Sequence, residues 1–421
     1  MKNLKRILIS IIGSTIFAGI AVAEPVMVAG TGNPDLDIPA VQAAVDQGGS
    51  VVLMGHFSFE RPPTAPAGAT YNRMVTVSKS VVISGGTDEN GDSPTIRGGD
   101  WPFFVDALGA QVTIQGLHFV RPTSGAIWIF AVGGLTIAGC RVQGMDASAE
   151  FGMQAGQGAI ISTAIFVGAD PHPPNATQLG KPENFSGNMT IRDNDIDIGG
   201  MAHTLALGIS MFSVGKSPDK EVDILISGNR IINATEPSIN LRVVGGQAFV
   251  DRNVIITGAM AGGGANPDAI RIVGSGSYVI AHNSIDCGWP DGTATGINLI
   301  GQPPPMAPRA SAVVVDNDIS MSAPEGTVFT KNSAGIEIRG FALGNSVLNN
   351  RIRGRGNAAL TVLNQNGGLP GNSSFLLNDL RGFQSALADL FIDAGATNTF
   401  FAGRQASIED HGMGTVVVPI P

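Results

Sequence analysis

The sequence predicts an all-β fold, a single-stranded right-handed parallel β-helix of roughly a dozen three-strand coils. Three observations predict it: a short repeated phrase, a period-two alternation of apolar residues around that phrase, and a composition low in charge. Charged residues make up 14% of the chain, against roughly 25% in average soluble domains. The repeat runs on without a linker, which favours one long domain.

The repeated phrase consists of an apolar residue, two variable residues, an asparagine, a variable residue and a second apolar residue. Its copies are separated by about 24 to 35 residues, the range typical of solenoid repeats. They are Ile191–Ile196, Ile226–Ile231, Val250–Ile255, Ile280–Ile285, Val314–Ile319, Val347–Ile352 and Phe375–Leu380, with Ile137–Val142 as a copy that lacks the asparagine.

Each phrase predicts two short strands joined at a tight corner. Asparagine tolerates a left-handed backbone better than other non-glycine residues, so we expect it to turn the second strand of a coil into the third. A first strand precedes each phrase and is opened by a small residue, such as Gly208, Ser238 or Ala269. Stacked coils would place equivalent strands in parallel, ~4.8 Å apart, with the right-handed crossover usual for parallel strands.

The two ends of the chain differ from the repeats. Residues 1–23 have a basic start, an apolar middle and a small-residue exit, the pattern of a secretory signal peptide. Residues 24–60 are predicted to form an N-terminal cap and first strand, in which a helix over Asp35–Val45 covers the open sheet edge. Residues 61–421 are predicted to form the β-helix, ending in an irregular coil over Ser407–Asp410 and Val416–Val418.

Charge and hydropathy limit the location and the partners. The apolar run in residues 1–23 is shorter than the ~20 residues that a spanning helix needs, so we expect no membrane span in the mature protein, which would be secreted or periplasmic. The formal net charge is −9, and removing residues 1–23 makes the chain more acidic. Such a chain has no general affinity for phosphate backbones, which argues against nucleic acid as a partner.

The two cysteines, Cys140 and Cys287, lie several coils apart on this prediction. A disulfide needs Cα atoms within about 7 Å, whereas several rungs of ~4.8 Å separate these residues. We therefore expect two unpaired, inert thiols.

The opening segment Val41–Leu53 and the Asn-corner coils resemble the pectate-lyase-like superfamily of right-handed parallel β-helices, over essentially the whole mature chain. That superfamily includes polysaccharide lyases, glycoside hydrolases, uronate epimerases, phage tailspikes and proteins that only bind. The resemblance therefore indicates a fold rather than a reaction. It implies that a ligand lies over the first strand of the coils, whose outward positions are the place to look for a site.

The outward positions of the first strand suggest a site for an acidic polysaccharide. Trp128 and Phe212 are expected to be exposed and to stack on sugar rings. Further along the chain, guanidinium and amide groups would bind carboxylates and hydroxyls; they belong to Arg242, Arg339, Asn240 and Asn298.

The candidates for catalysis are Glu337, Asp268 and Arg271. Hydrolysis would use Glu337 and the loop residue Asp268 as the acid/base pair, although the dense aspartate cluster of polygalacturonase-like hydrolases is missing. A lyase or epimerase would use Arg271 to neutralise a uronate carboxylate and would need a separate base. The stretch Asp170–His172 resembles a short motif of alginate epimerases over three residues only.

The sequence leaves two functions open. The first is an exported protein that binds a polysaccharide, with cleavage or epimerisation undecided; the second is a non-catalytic scaffold that presents loops to a protein partner. No cofactor is expected. The stretch Asp88–Asp92 alternates oxygen ligands as calcium loops do but lacks the distal glutamate, so a turn is favoured. The oligomeric state is not given by the sequence.

Overall fold

The computed structural model describes residues 24–60, 73–87, 91–145, 161–169, 181–199, 205–212, 222–242, 246–258, 268–274, 276–288, 293–303, 310–365, 367–404 and 406–420. Within these ranges the chain forms one sheet of thirty-two strands, and every pairing between strands is parallel. The sequence-based prediction of a parallel β-helix is confirmed. Residues 1–23 lie outside the described ranges, so the predicted signal peptide stays a prediction.

The secondary structure begins with β1 (Val26–Thr31), α1 (Pro34–Val45), β2 (Gly49–Ser58), β3 (Val75–Val77), β4 (Val81–Gly85), β5 (Thr95–Arg97), β6 (Phe103–Gln115), β7 (His118–Val120), β8 (Ile127–Ala138), β9 (Arg141–Gln143) and β10 (Ile161–Val167). After a 3-10 turn at Pro182–Asn184 come β11 (Met189–Arg192), β12 (Asp195–Asp197), β13 (Leu205–Phe212), β14 (Asp223–Ser227), β15 (Arg230–Ala234), β16 (Ile239–Arg242), β17 (Gln247–Asp251), β18 (Val254–Thr257), β19 (Asp268–Val273), β20 (Gly276–Ala281) and β21 (Ser284–Cys287). The chain ends with β22 (Thr295–Gly301), β23 (Ala310–Val315), β24 (Asp318–Met321), β25 (Ala334–Gly340), β26 (Ser346–Leu348), β27 (Arg351–Leu363), β28 (Ser374–Leu376), β29 (Asp379–Ile392), β30 (Phe400–Gly403), β31 (Ile408–Asp410) and β32 (Val416–Pro419).

The strands stack into three faces, as the repeat predicts. The first-strand face runs through β3, β6, β8, β10, β13, β16, β19, β22, β25, β27, β29 and β31. The second-strand face includes β11, β14, β17, β20, β23, β26, β28, β30 and β32, and the third-strand face includes β12, β15, β18, β21, β24, β27 and β29. The long strands β6, β8, β27 and β29 contribute to two faces, because they continue around a corner.

The corner between the second and third strands holds a stack of buried asparagines, which we name the asparagine ladder: Asn194, Asn229, Asn253, Asn283, Asn317, Asn350 and Asn378. Each side chain in the interior of this stack donates from Nδ2 to the Oδ1 of the next asparagine, at 2.8–3.0 Å. The same Nδ2 also donates to a backbone carbonyl of the preceding coil, as from Asn253 to Ile226 O at 3.0 Å. The backbone N–H of each asparagine donates to the same Oδ1, so the ladder ties consecutive coils together.

The reason for asparagine at the corner differs from the expected one. The left-handed residue is the one before the asparagine: φ is 53° at Arg252, 55° at His282 and 56° at Asp316. The asparagine itself supplies hydrogen bonds to the buried corner, which would otherwise leave backbone donors and acceptors unpaired. The copy without asparagine follows the same scheme, because the N–H of Cys140 donates to Asn194 Oδ1 at 2.9 Å.

The core is a continuous column of aliphatic side chains that point inward from all three faces. Small residues open the first strands because the third strand of the same coil packs against them. A Cβ on Gly208 would lie 2.6 Å from Ile231 Cγ2, and one on Gly296 would lie 2.8 Å from Ile319 Cγ2. A Cβ on either glycine would also lie too close to the next coil, 2.5 Å from Ser238 O at Gly208 and 2.4 Å from Gly335 O at Gly296. Glycine is therefore required at these two positions of the first strand.

The N-terminal edge of the sheet is covered by α1, as predicted. Asn33 caps the helix by accepting a hydrogen bond from Asp35 N at 3.0 Å. Asp37 is buried and fixes the helix to the first strands by accepting from Thr31 N at 2.7 Å and Ser58 N at 2.8 Å. The apolar side of α1, including Val41, joins the core.

The C-terminal edge is formed by β31 and β32, at the place where the sequence predicted a last coil. The backbone N–H groups of Val416 and Ile420 donate to the β30 side. Because backbone groups alternate along a strand, the nitrogens of Val417 and Pro419 point to the open edge of the sheet. Proline has no N–H to offer to a further strand, which is one way in which proteins blunt a sheet edge.

The two cysteines are free and buried, as predicted. Burial raises the pKa of the Cys140 thiol to about 12 and also raises that of Cys287. Both thiols are therefore protonated and unreactive near neutral pH.

Candidate functional site

The outward positions of the first-strand face form one continuous row. Successive rungs carry, in register, Phe104, Trp128, Phe166, Ser210, Asn240, Arg271, Asn298, Glu337 and Thr361. Five of the candidate residues lie in this row in the order that the alternation predicted: Trp128, Asn240, Arg271, Asn298 and Glu337. Two residues of this row, Phe104 and Phe166, were not recognised as part of it from the sequence.

The N-terminal part of the row is an aromatic cluster, formed by Trp101, Phe104, Trp128, Phe130, Phe166 and Phe212. The Phe104 and Trp128 ring centroids are 4.4 Å apart, and those of Phe166 and Phe212 are 5.5 Å apart. Trp128 also donates from Nε1 to Gly168 O at 3.3 Å.

The expectation that Trp128 and Phe212 are exposed was wrong. They are 8% and 3% exposed, because they pack against Trp101 and Phe166, which the sequence analysis did not connect with them. Phe104 and Phe130 are the half-buried members of the aromatic cluster, so their rings form its accessible side.

The C-terminal part of the row, together with its neighbours on the same strands, is a cluster of polar side chains that we name the polar column: Asn240, Arg242, Asp268, Arg271, Asn298, Glu337, Arg339 and Thr361. Its members are buried rather than laid open in a groove. Asp268, Glu337 and Thr361 are 0% exposed, and Arg271 has 15% of its side chain exposed. Arg242 and Arg271 are the members that reach solvent most.

Asp268 is the first residue of β19, rather than a loop residue, and it forms one half of the polar column. Its Oδ2 accepts a hydrogen bond from Arg271 Nε at 2.5 Å and another from Asn298 Nδ2 at 3.0 Å. Arg271 Nη1 also lies 3.7 Å from Glu236 Oε2. Burial opposes the charge of Arg271, but Asp268 and Glu236 outweigh it and raise the pKa of this guanidinium.

Glu337 forms the other half and lies on β25, beside Asn298 in the row. Arg339 Nη1 is 3.0 Å from Glu337 Oε1, yet neither carboxyl oxygen has a hydrogen-bond partner among the described residues. Burial raises the pKa of Glu337 to about 8, and Arg339 offsets only part of that effect. Glu337 is therefore a protonated acid at neutral pH, of the kind that serves as a proton donor.

Arg242 joins the polar column to the aromatic cluster. Its guanidinium carbon lies 5.2 Å from the centroid of the Phe212 ring, a cation–π contact. Burial and the nearby charge of Arg271 lower the pKa of Arg242. Its Nε has no hydrogen-bond partner in the described part of the chain.

Unpaired buried polar atoms are concentrated in this part of the molecule. Among the described residues they include Asn240 Oδ1, Arg242 Nε, Asp268 Oδ1, Asn298 Oδ1, Glu337 Oε1 and Oε2, Arg339 Nε and Thr361 Oγ1. Each buried polar group without a partner costs roughly 1–3 kcal/mol. Folded proteins keep such groups where function requires them, so this cluster is the strongest candidate for a site.

Several sequence-based candidates lie elsewhere. Asp170–His172 and most of Asp88–Asp92 fall outside the described residues, so neither motif gains a structural account. Within the described ranges no group of three or more His, Cys, Asp or Glu side chains has the arrangement of a metal site. Nor does any described helix have the length and apolarity needed to cross a bilayer.

Comparison with known proteins agrees with the fold. Neither a protein-family model nor a curated protein sequence matches the chain. Among solved structures, PfbA, a surface adhesin of Streptococcus pneumoniae, superposes with a TM-score of 0.55 at 12% identity, over 94% of this chain and 91% of PfbA. The DFA-IIIase of Arthrobacter chlorophenolicus A6 has a TM-score of 0.47 at 13% identity, over 87% and 88% of the two chains. The A-module of the Azotobacter vinelandii mannuronan C-5 epimerase AlgE6 has a TM-score of 0.36 at 12% identity, over 93% and 98%.

The chain thus has a right-handed parallel β-helix fold. These similarities concern the backbone arrangement, and the reaction has to be argued from the side chains of the polar column.

Proposed function

We propose that this chain is an exported protein that binds an acidic saccharide at the polar column and acts on its glycosidic bond by general acid–base catalysis. The observation that carries the proposal is the pair of buried carboxyl groups with different surroundings. Glu337 is protonated below about pH 8, whereas Asp268 is an acceptor paired with Arg271 and Asn298. Paired carboxyl groups in unlike environments are what acid and base roles require.

The roles follow from these surroundings. Glu337 would donate its proton to the leaving oxygen, and Asp268 would take a proton from the attacking water. Asn298 links the two carboxyl groups, because it donates to Asp268 Oδ2 at 3.0 Å and lies in register with Glu337 on the adjacent strand. An inverting mechanism, which needs ~6.5–9.5 Å between carboxyl groups, is the hydrolytic route that we propose for a pair with one amide side chain between them.

The ligand would be anionic because the accessible members of the polar column are cationic. Arg242 and Arg271 reach solvent, and a guanidinium binds a carboxylate through two parallel hydrogen bonds. Asn240, Asn298 and Arg339 would bind from deeper in the column. Arg242 lies over the buried Phe212 ring, and the accessible rings of the aromatic cluster, Phe104 and Phe130, lie four and three rungs away on the same face. A saccharide of several units bound at Arg242 would therefore reach them and stack there.

The test is to incubate the mature protein with polygalacturonate, alginate and neutral glucans. We measure reducing ends, absorbance of unsaturated uronates, and epimerisation by NMR. Released reducing ends without unsaturated product are expected. Glu337→Gln should lower the rate about 100-fold or more, and the wild-type rate should fall as the pH rises through about 8, where the acid loses its proton. Glu183→Gln, on an exposed surface, is the matched control.

Binding is measured separately, by calorimetry with oligogalacturonates. Arg242→Ala should weaken binding about tenfold, the size of one charge-assisted contact, while Arg230→Ala on another face leaves it unchanged. Equal effects of both variants would refute the placement of the site.

A non-catalytic binding protein is the second candidate, and the burial of the column favours it. Glu337 and Asp268 are 0% exposed, so a polymer resting on the surface would contact the arginines and not the acids. Saccharide binding that depends on Arg242, without any product in the three assays, would establish this alternative.

A further inference from the structure

A second cluster of arginines lies on the third-strand face, away from the polar column. It lines a cleft of about 500 Å³ at strands β24, β27 and β29. Arg351, Arg353 and Arg381 contribute their side chains to it, and Gly354 and Gly382 put none there. A local excess of arginine is unexpected in a chain whose formal net charge is −9.

Two of these arginines are already paired with aspartates. Arg381 binds Asp379 through two hydrogen bonds, Nε to Oδ1 at 2.8 Å and Nη2 to Oδ2 at 2.7 Å. This pairing lowers the pKa of Asp379 to about 2. Arg353 Nη2 lies 3.3 Å from Asp318 Oδ2. Both acids next to the cleft are therefore occupied by an arginine.

Arg351 is the remaining cation. It lies in register between Asp318 and Asp379 on the neighbouring strands. It is exposed, and its charge acts on Asp379, where it adds to the lowering of the carboxyl pKa. That carboxylate accepts its hydrogen bonds from Arg381, so three guanidinium groups surround one cleft with two aspartates.

We propose that this cleft binds a tetrahedral oxyanion, the sulfate or phosphate group of an ester, with Arg351 as its main ligand and Arg353 and Arg381 beside it. The planar fork of arginine matches the oxygens of such a group and holds two of them at once. Adjacent rungs are ~4.8 Å apart, so arginines on neighbouring strands can bind different oxygens of one anion. The site is distinct from the polar column and does not depend on the function proposed for it.

The experiment is equilibrium dialysis of the mature protein with labelled inorganic sulfate and, separately, labelled inorganic phosphate, at fixed ionic strength in chloride. We expect saturable binding of about one anion per chain, weakened about tenfold by Arg351→Ala, the size of one charge-assisted hydrogen bond. Because the cleft is exposed, affinity should also fall as the chloride concentration rises. The anion that binds more tightly identifies whether the natural ligand is a sulfate or a phosphate ester.

Matched controls separate this site from the rest of the surface. Arg230→Ala removes an exposed arginine from the same face, one that donates to Asp195 at 2.8 Å, and should leave binding unchanged. Non-saturable binding, or an equal loss with Arg351→Ala and Arg230→Ala, would overturn the proposal.

Discussion

The asparagine ladder and the polar column are two rows of largely buried polar side chains on the same solenoid, and they differ in how completely their polar atoms are hydrogen-bonded. In the ladder, Asn253 gives its amide protons to Asn283 Oδ1 and Ile226 O, and its own Oδ1 accepts from Asn229. In the column, Glu337 and Thr361 are equally buried, yet their oxygens have no hydrogen-bond partner among the described residues. The first row stabilises the corner of each coil.

The second row cannot have the same purpose. A buried polar group stabilises a fold when it is paired and destabilises it when it is not. The contrast therefore teaches that burial alone does not distinguish structural from functional polar residues. The two kinds of residue are distinguished by whether their polar atoms have hydrogen-bond partners. Three substitutions test this distinction.

The largest stability effect is expected in the asparagine ladder. Asn253→Ala removes the acceptor for Asn229 N and Nδ2 and the donor for Ile226 O, which leaves several buried groups unpaired. We expect a loss of about 1–3 kcal/mol or somewhat more in the free energy of unfolding, measured by urea denaturation. Asn240→Ala, in the polar column, has a single hydrogen bond to Ser210 at 3.2 Å and should cost clearly less. Equal losses would remove the distinction between the two rows.

The next effect is a pH dependence of stability that originates from Glu337. Its pKa is raised from an ordinary value of 4.5 to about 8 by burial, so the protonated form favours the folded state. This contribution is fully present below about pH 4.5 and is lost as the pH rises to about 8. Thermal unfolding should therefore show the wild type losing stability relative to Glu337→Gln across that window.

The control for this prediction is Glu183→Gln, which removes an exposed carboxyl and should keep the wild-type pH profile. A constant difference in Tm between wild type and Glu337→Gln from pH 4.5 to 8 would show that this carboxyl is not buried as described.

The smallest effect, and the one with the opposite sign, is expected at Thr361. Thr361→Val replaces an unpaired buried hydroxyl with a methyl group of similar shape, so it should stabilise the protein by about 0.5–1 kcal/mol. We expect a higher denaturation midpoint in urea with no change in slope. A destabilisation of 1 kcal/mol or more would indicate that the hydroxyl is hydrogen-bonded, and the polar column would then resemble the asparagine ladder.

Local features of the sequence are enough to specify the solenoid. The phrase around each asparagine, the alternation of Ile191 and Ile196 with polar residues, and the small residue that opens each first strand are all local features. Each coil pairs with the next in the same register, so local patterns repeated along the chain define the whole stack. The capping helix, the inert cysteines and the order of the candidate residues along the first-strand face followed from the same patterns.

The burial and the protonation of the site residues depend on contacts between coils. Burial of Trp128 and Phe212 depends on Trp101 and Phe166. Trp101 precedes a coil that has no asparagine phrase, and more than twenty residues separate Phe166 from the phrase of its own coil at Ile191–Ile196. Whether an outward residue is exposed depends on everything packed over the face, which alternation within one strand does not encode. The protonation of Glu337 likewise depends on burial and on charges from other coils, such as Asp268 and Arg271. The periodicity of a strand determines whether a side chain points toward the core or away from it. Its burial, its pKa and its hydrogen-bond partners depend on residues that are distant in sequence.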